Sequence, residues 1–521
     1  MCKRKIGIFV FLTLFVAITS FAQQKEKVAS LSLEDCILKA MKNNIGVAIE
    51  VLNPELADIS ISRASEKFMP TFSLGYSQRS TAQASSSWIE ASQTSTSKRS
   101  DYSATISQLI PTGGNFSINL ANYTSQSNRI TNTYNPLYSS TLSFAFTQPL
   151  LKNFGFKVNR REIIIARNNV DISENQLKRV LQETIYSVEE AYWNLVYNIE
   201  NLKVKRQSLK LAQDLLEKNK RAVEVGTLAP IEILSAQSAV ANREADILQA
   251  EASLKDSEDR LKTIINLAAE EEGTDLATIT PLDKPAYEKK EVSLDEALRA
   301  AMDNRPDLEA TRIDLNNKRL DLSYSKNQLL PNLSLNASYW SPGISGDQLI
   351  LDPNDRYAPP IGKIPGTPAD ALKDAVDLKY DNWSAAITLD IPLNTFFSRA
   401  QYAQAKVNLD QATLRLKDQE QQIFLEIKNA VRAVQTDYKR VQAYKVAEEL
   451  AEKTLEAEEE KLKVGITTPF FVLQYQTDLA SAQSNELKAI IDYNLSLASL
   501  NKAMGVSLKV KNIKFSEILG K

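Results

Sequence analysis

Residues 157–224 contain neither proline nor glycine, the two residues that most readily end a helix, and their apolar positions recur at helical spacing. Leu177, Leu181, Ile185, Val188, Tyr192, Leu195, Ile199 and Leu202 advance in steps of three and four. From Leu181 a sevenfold series runs through Val188, Leu195, Leu202, Leu209, Leu216 and Val223. This is a coiled-coil seam, and the pair of four-residue steps at its start is a stutter that locally unwinds a supercoil. A helix of this length measures about 100 Å at 1.5 Å per residue, more than an ordinary globular domain accommodates. The chain is therefore expected to be built around extended helical arms.

The first arm ends at VGTLAP (225–230), and a second arm follows with Val240, Ile247, Leu254 and Leu261 again at sevens. Gly226 suits the left-handed end of one helix, and Pro230 suits the first turn of the next. The same device returns as VGITTP (464–469), with Gly465 and Pro469 at one constant offset from Gly226 and Pro230. The repeat is larger than the hexapeptides. SLEDCILKAMKNN (32–44) aligns with SLDEALRAAMDNR (293–305), KFMPTFSL (67–74) with QLLPNLSL (328–335), and TQPLL (147–151) with DIPLN (390–394). Landmarks matched in the same order mark an internal duplication. The first repeat is expected at 23–270, with strands in 71–149 and a helical hairpin at 157–266. After a linker at 271–291, the second spans 292–506, with strands in 332–393 and a hairpin at 397–504. Residues 507–521 form a tail.

The N-terminus supplies an address. Lys3, Arg4 and Lys5 precede the apolar run IGIFVFLTLFVAI (6–18), and Ser20 and Ala22 are small residues suited to a processing site. This reads as a signal peptide, 1–22, cleaved between Ala22 and Gln23. Cys2 leaves with it, and Cys36, on an apolar helical pattern, is expected to be a buried, inert thiol. No later apolar run approaches the length of a membrane-spanning helix, so membrane attachment would have to come from strands.

Composition removes several functions. The chain has no histidine, which excludes imidazole acid–base chemistry and imidazole metal ligands. A net charge of −2 is unlike a nucleic-acid binder. No GxxxxGK[ST] nucleotide loop occurs, and the acidic run EAEEEKLK (456–463) reads as a solvated helix face. Neither enzyme activity nor a cofactor or metal is expected.

The strand regions carry the remaining signal. FSLGYSQ after Pro70, YSATISQLI (102–110), NFSINLANY (115–123) and SSTLSFAFTQPLL (139–151) alternate apolar and polar residues, and PTGG joins the middle pair as a hairpin. NLSLNASYW (332–340) and NWSAAITLDIPL (382–393) do the same in the second repeat, with polar loops expected at 80–100 and 342–380. Aromatic residues near the strand ends are a signature of transmembrane β-strands. So few strands cannot close a barrel alone, and open edges do not survive in lipid, so several chains would have to contribute. A soluble β-sandwich carried on coiled coils is the competing architecture. Its function would be that of an exported periplasmic or surface scaffold or adhesin.

Taken together, the duplicated helix entries, the two Pro-led strand entries, QPLL and the bends VEVGTLAPIEILSAQSAV (223–240) and LKVGITTPFFVLQYQTDL (462–479) resemble the TolC-like outer-membrane efflux family. The resemblance implies a mainly α fold with membrane β: a homotrimer with a 12-stranded outer-membrane barrel, continued by a periplasmic barrel of helical hairpins. It would be 18-stranded if the extra hairpin at 101–124 joined the wall. It implies an exit duct of a tripartite pump or type I secretion system, set in outer-membrane lipid of a Gram-negative cell. Its partners would be a periplasmic membrane-fusion adaptor and, through it, an inner-membrane pump of RND or ABC type. By the same resemblance the adaptor would dock on the bends, at Gly226, Thr227, Pro230, Gly465, Thr467, Thr468 and Pro469, with Val225 and Val464 packed beneath. The family's acidic residues past the second tip are replaced here by Phe471 and Gln474. A periplasmic gate could then be a ring of Glu232, which also suits a helix N-terminus on its own. It could equally be an apolar constriction of Phe470 or Phe471, residues that would otherwise pack between helices.

Overall fold

After a short first turn at Phe156–Asn159, the run without proline or glycine forms one helix over Arg161–Glu224. A computed structural model describes residues 28–84, 94–129, 132–267, 278–353 and 360–515. The cleavage position at Ala22 and Gln23, part of the linker and the end of the tail lie outside them. In chain order the elements are β1 (Val28–Leu31), α1 (Leu33–Asn43), α2 (Ile45–Ser65), β2 (Thr71–Ala84), β3 (Thr94–Leu109), β4 (Asn115–Ser127), β5 (Tyr134–Pro149), α3 (Phe156–Asn159), α4 (Arg161–Glu224) and α5 (Ile231–Ile265). The stretch expected as a linker carries β6 (Thr278–Pro281); α6 (Leu294–Asn304), α7 (Pro306–Asn327), β7 (Asn332–Ile350), β8 (Gly362–Ile364), α8 (Pro368–Val376), β9 (Asn382–Asp390), α9 (Phe396–Lys463) and α10 (Pro469–Ala503) follow in the second repeat, and α11 (Ser507–Val510) lies in the tail.

These elements form two compact units, each drawn from both repeats. One contains the chain up to Asn53, Glu174–Ala310 and the chain from Lys417 on. Its core is the predicted seam: Leu177, Leu181, Ile185, Val188, Tyr192 and Leu195 are at most 1% exposed and cluster with Cys36, Ile37, Leu261, Ile265 and Ile279. Burying each of the large aliphatic side chains contributes about 2 kcal/mol. Desolvation pushes the Cys36 thiol up to about 12, so it is an inert core residue. Farther along α4 the buried positions are Ser208, Ala212, Leu215 and Asn219, while Leu209, Leu216 and Val223 are half-buried. A helix of 3.6 residues per turn drifts from a strict seven-residue series, which moves the buried stripe sideways. Strands β1 and β6, which the hydropathy pattern did not reveal, pair in parallel through four residues. Tyr192 ties them down: its hydroxyl donates to Asp283 at 2.9 Å, and Asp283 also accepts from the Leu33 amide at 2.7 Å.

The other unit, Pro54–Ser173 and Thr311–Leu416, holds a sheet ordered β2-β3-β4-β5-β7-β8, with β9 also pairing with β7. All its pairings are antiparallel. The hairpin at 101–124 was expected to stand outside the wall. Instead its strands, β3 and β4, occupy the middle of the ladder between β2 and β5, where their backbone groups are paired on both sides. The expected loops are also shorter than predicted. Strand pairing continues to Ala84 and resumes at Thr94, because serine and threonine tracts extend a ladder as well as apolar residues do when both faces are polar. Within 342–380, β7 continues to Ile350 and α8 folds onto β7 and β5. Small residues permit that contact: Ala371 and Ala375 are fully buried, and a Cβ on Gly343 would lie 2.0 Å from the Ala371 carbonyl.

Candidate functional site

The two bends have the same backbone solution. Gly226 and Gly465 have φ of +77° and +76°, the left-handed conformation that glycine adopts cheaply. The Thr227 amide donates to Ala222 at 2.9 Å and the Gly226 amide to Val223 at 3.0 Å. Ile466 and Gly465 repeat these bonds to Lys461 and Leu462 at 3.0 and 3.1 Å. This paired pattern is the Schellman helix end. Pro230 immediately precedes α5, and Pro469 is the first residue of α10.

The side chains below the bends differ between the repeats. In the first, Asn219 donates to the Glu232 carbonyl at 3.4 Å, and the Thr227 hydroxyl donates to the Ala222 carbonyl. In the second, Glu458 accepts from the Thr467 hydroxyl at 2.5 Å and from Lys461 at 3.0 Å. These bonds hold the Glu458 carboxyl below the usual carboxylate range, the Thr467 bond contributing most.

Val225 and Val464 do not pack beneath the bends. They are 74% and 69% exposed, since each precedes its glycine at the point where the chain turns away from its neighbours. Thr468 takes the N-cap position of α10 in extended conformation, without a side-chain cap bond. Phe470 and Phe471 are both largely exposed and meet edge to face at 5.6 Å. Gln474 turns to Asp478 at 3.0 Å. Glu232 is half-buried, and one of its carboxylate oxygens is buried without a hydrogen-bond partner.

A cleft of roughly 740 Å³ opens between the two bends, bordered by Thr227 and Leu228 on one side and Gly465, Thr467 and Pro469 on the other. Beside it lies a residue that helical periodicity does not flag. Arg243, 7% exposed, donates to the Ser208 carbonyl at 2.8 Å, Gln476 at 3.0 Å, the Leu473 carbonyl at 3.2 Å and Thr477 at 3.3 Å. This guanidinium fastens α4, α5 and α10 together through neutral acceptors. Its burial lowers its pKa from the ordinary arginine value.

The sheet has two chemically distinct faces. Register places Phe72, Leu74 and Tyr76 of β2 beside Ile106, Ala104 and Tyr102 of β3. The same face continues through Ile118 and Leu120 of β4, Leu142, Phe144 and Phe146 of β5, and Leu333, Leu335 and Tyr339 of β7. It ends on Trp383, Ile387 and Leu389 of β9. The opposite face presents Ser73, Thr105, Asn119, Ser143, Asn336, Ser384 and Thr388. Exposed apolar side chains on this scale, such as Leu74 at 73% and Trp383 at 75%, mark a surface meant for an apolar neighbour. Among the described residues, no helix is long and apolar enough to cross a membrane.

Comparison with known proteins agrees with this geometry. The sequence model for "Outer membrane efflux protein" matches residues 115–267 and 297–506, well over half of the chain. Its first match begins at the start of β4. Outer membrane protein TolC of Vibrio cholerae is 24% identical over 336 residues, 64% of this chain and 70% of that protein. Among solved structures, the outer-membrane channel OprN superposes with a TM-score of 0.64 at 16% identity, covering 91% of this chain and 90% of its own. The Campylobacter jejuni CmeC outer membrane channel gives 0.61 at 15% identity, covering 95% and 94%.

Proposed function

Because this chain belongs to the outer membrane efflux protein family and resides in the outer membrane, we propose that it is the passive exit duct of a tripartite efflux or type I secretion system. The observation that carries the reading is the two-faced sheet with unsatisfied edges. The exposed strand β2 lies at one edge and exposed β9 at the other. They run in opposite directions, so β9 of one copy can pair antiparallel with β2 of the next. Such closure removes the edges, turns the apolar face to lipid and lines a lumen with serine, threonine and asparagine. Of the seven strands in the sheet, six are long, so a homotrimer gives 18 strands. A barrel of 18 is about half again as wide as one of 12, since diameter grows roughly linearly with strand number.

In this reading the bends are the periplasmic tips. A membrane-fusion adaptor docks on the exposed Val225, Gly226, Thr227, Val464, Gly465 and Thr468 and reaches into the cleft beside Thr467. The adaptor connects the duct to an inner-membrane pump. Docking opens the tips by sliding packed helices, a shear motion, with Phe470 and Phe471 as the apolar constriction.

Detergent extraction of outer-membrane fractions and single-particle imaging test the reading. Threefold particles with a membrane-width β belt and 18 strands are the expected result. A protein recovered in the soluble fraction, or rods without a detergent belt, would leave a coiled-coil scaffold instead.

A further inference from the structure

The polar face of the sheet is almost free of charge until it passes the aromatic residues Tyr76 and Tyr102. Beyond them, toward the end opposite the PTGG turn, Arg79 stands directly across from Arg99 in the β2–β3 register. Arg129, just past β4, reaches the same face and donates to the Ser95 hydroxyl at 2.9 Å. Asp101 on the same face pairs with Arg99 at 2.7 Å, and the Arg99 guanidinium lies over the Tyr123 ring at 3.8 Å. The other charged residues of the described strands stand elsewhere. Lys98, Asp347 and Lys363 fall on the opposite face, and Asp390 lies at the far end of the ladder.

Like charges placed directly across a strand pair destabilise it, so packing gives no reason to set Arg79 against Arg99. Among the described strand residues of this face and end, Arg79 and Arg99 stand with a single carboxylate, Asp101. We propose that Arg79, Arg99 and Arg129 form a cationic belt inside the outer mouth, which draws anionic solutes, above all phosphate- or carboxylate-bearing ones, through the exit. The proposal rests on the duct reading, because only closure of the sheet turns this face inward. In a trimer the belt carries nine guanidinium groups around one lumen. Rings of charged side chains set the selectivity of pores, and guanidinium groups bind phosphate and carboxylate oxygens in bidentate fashion. The surrounding Ser95, Ser97, Ser125 and Ser127 form a polar pocket beside Arg129 and supply further donors.

The test uses the full-length protein in planar lipid bilayers, with inorganic tripolyphosphate added to either side. Tripolyphosphate should block the current from the extracellular side at lower concentration than from the periplasmic side, and the block should weaken with added salt. The double variant R79Q/R99Q should retain conductance and need about tenfold more tripolyphosphate for half-block. R79K/R99K should stay near wild type, and R79E/R99E should lose the anion block and gain block by spermine. Conducting channels whose tripolyphosphate block is the same in wild type and R79Q/R99Q would overturn the belt while leaving the duct intact. A wild-type protein that inserts into lipid as single chains, without closed threefold particles on imaging, would overturn the duct reading itself.

Discussion

The helical arms of the two repeats are near copies, whereas their strand regions have diverged. Helices α4 and α9 have 64 and 68 residues, and α5 and α10 have 35 each. Between the matched prolines, the first repeat holds four long strands and the second holds two, together with the small helix α8, which lies on β7 and on β5 of the first. Side-by-side helices fix one another's length, because every turn added to one needs a turn opposite. Strands add in hairpin pairs at a sheet's interior with all backbone groups still satisfied, so β3 and β4 could be accommodated without disturbing the arms. Duplication therefore preserved what packs along its whole length and released what ends in loops.

Three comparisons probe where that symmetry holds and where it fails. The largest effect is expected at the matched helix-entry positions Asn44 and Arg305. Asn44 donates to the Ile264 carbonyl at 2.8 Å and accepts from the Val47 amide at 3.1 Å, both neutral bonds. Arg305 holds Asp307 at 2.7 Å, Glu426 at 2.6 Å and the Ala503 carbonyl at 3.1 Å. Burial would disfavour both charges of the Arg305–Asp307 pair, yet their mutual bonds raise the Arg305 pKa and lower that of Asp307. Arg305→Ala removes the cationic partner of the half-buried Asp307, which keeps neutral donors such as Gln419, and should cost about 2 kcal/mol, against about 1 kcal/mol for Asn44→Ala. Chemical denaturation of the detergent-solubilised protein measures both, and equal losses would erase the distinction.

Next in size are Gly226→Ala and Gly465→Ala. Neither position has an atom within 4 Å of a built Cβ, so the penalty is backbone strain alone, about 1 kcal/mol at each bend. Hydrogen exchange at the two tips should rise equally, and a clear inequality would show that the bends are not equivalent.

The smallest effect separates the tips by pH. The folded-state pKa of Glu458 is depressed, so its contribution is present above the ordinary glutamate pKa of about 4.3 and is lost as pH falls through the folded value. Exchange at the second tip should therefore accelerate in acid more than at the first, where the matched residue is Asn219. Thr467→Val should narrow that difference. An acid response of the same size at both tips would contradict the assignment.

Local periodicity and residue spacing were enough to read the long arms, the glycine-ended bends, the alternating strands and the repeat that orders them. These features follow from steric and hydrophobic preferences acting within a few residues, so they are written along the chain. The contacts of Arg243 with residues more than 200 positions away, the Arg305–Asp307–Glu426 cluster and the β1–β6 pair leave no such mark. A buried arginine in a charged helical stretch looks like any solvated one until the helix beside it is in place. For the same reason the fate of the PTGG hairpin was open in one dimension: its alternation suited an appendage as well as a wall. Only the ladder, by pairing both edges of the hairpin, decided that β3 and β4 belong to the sheet and that Arg79 faces Arg99 across it.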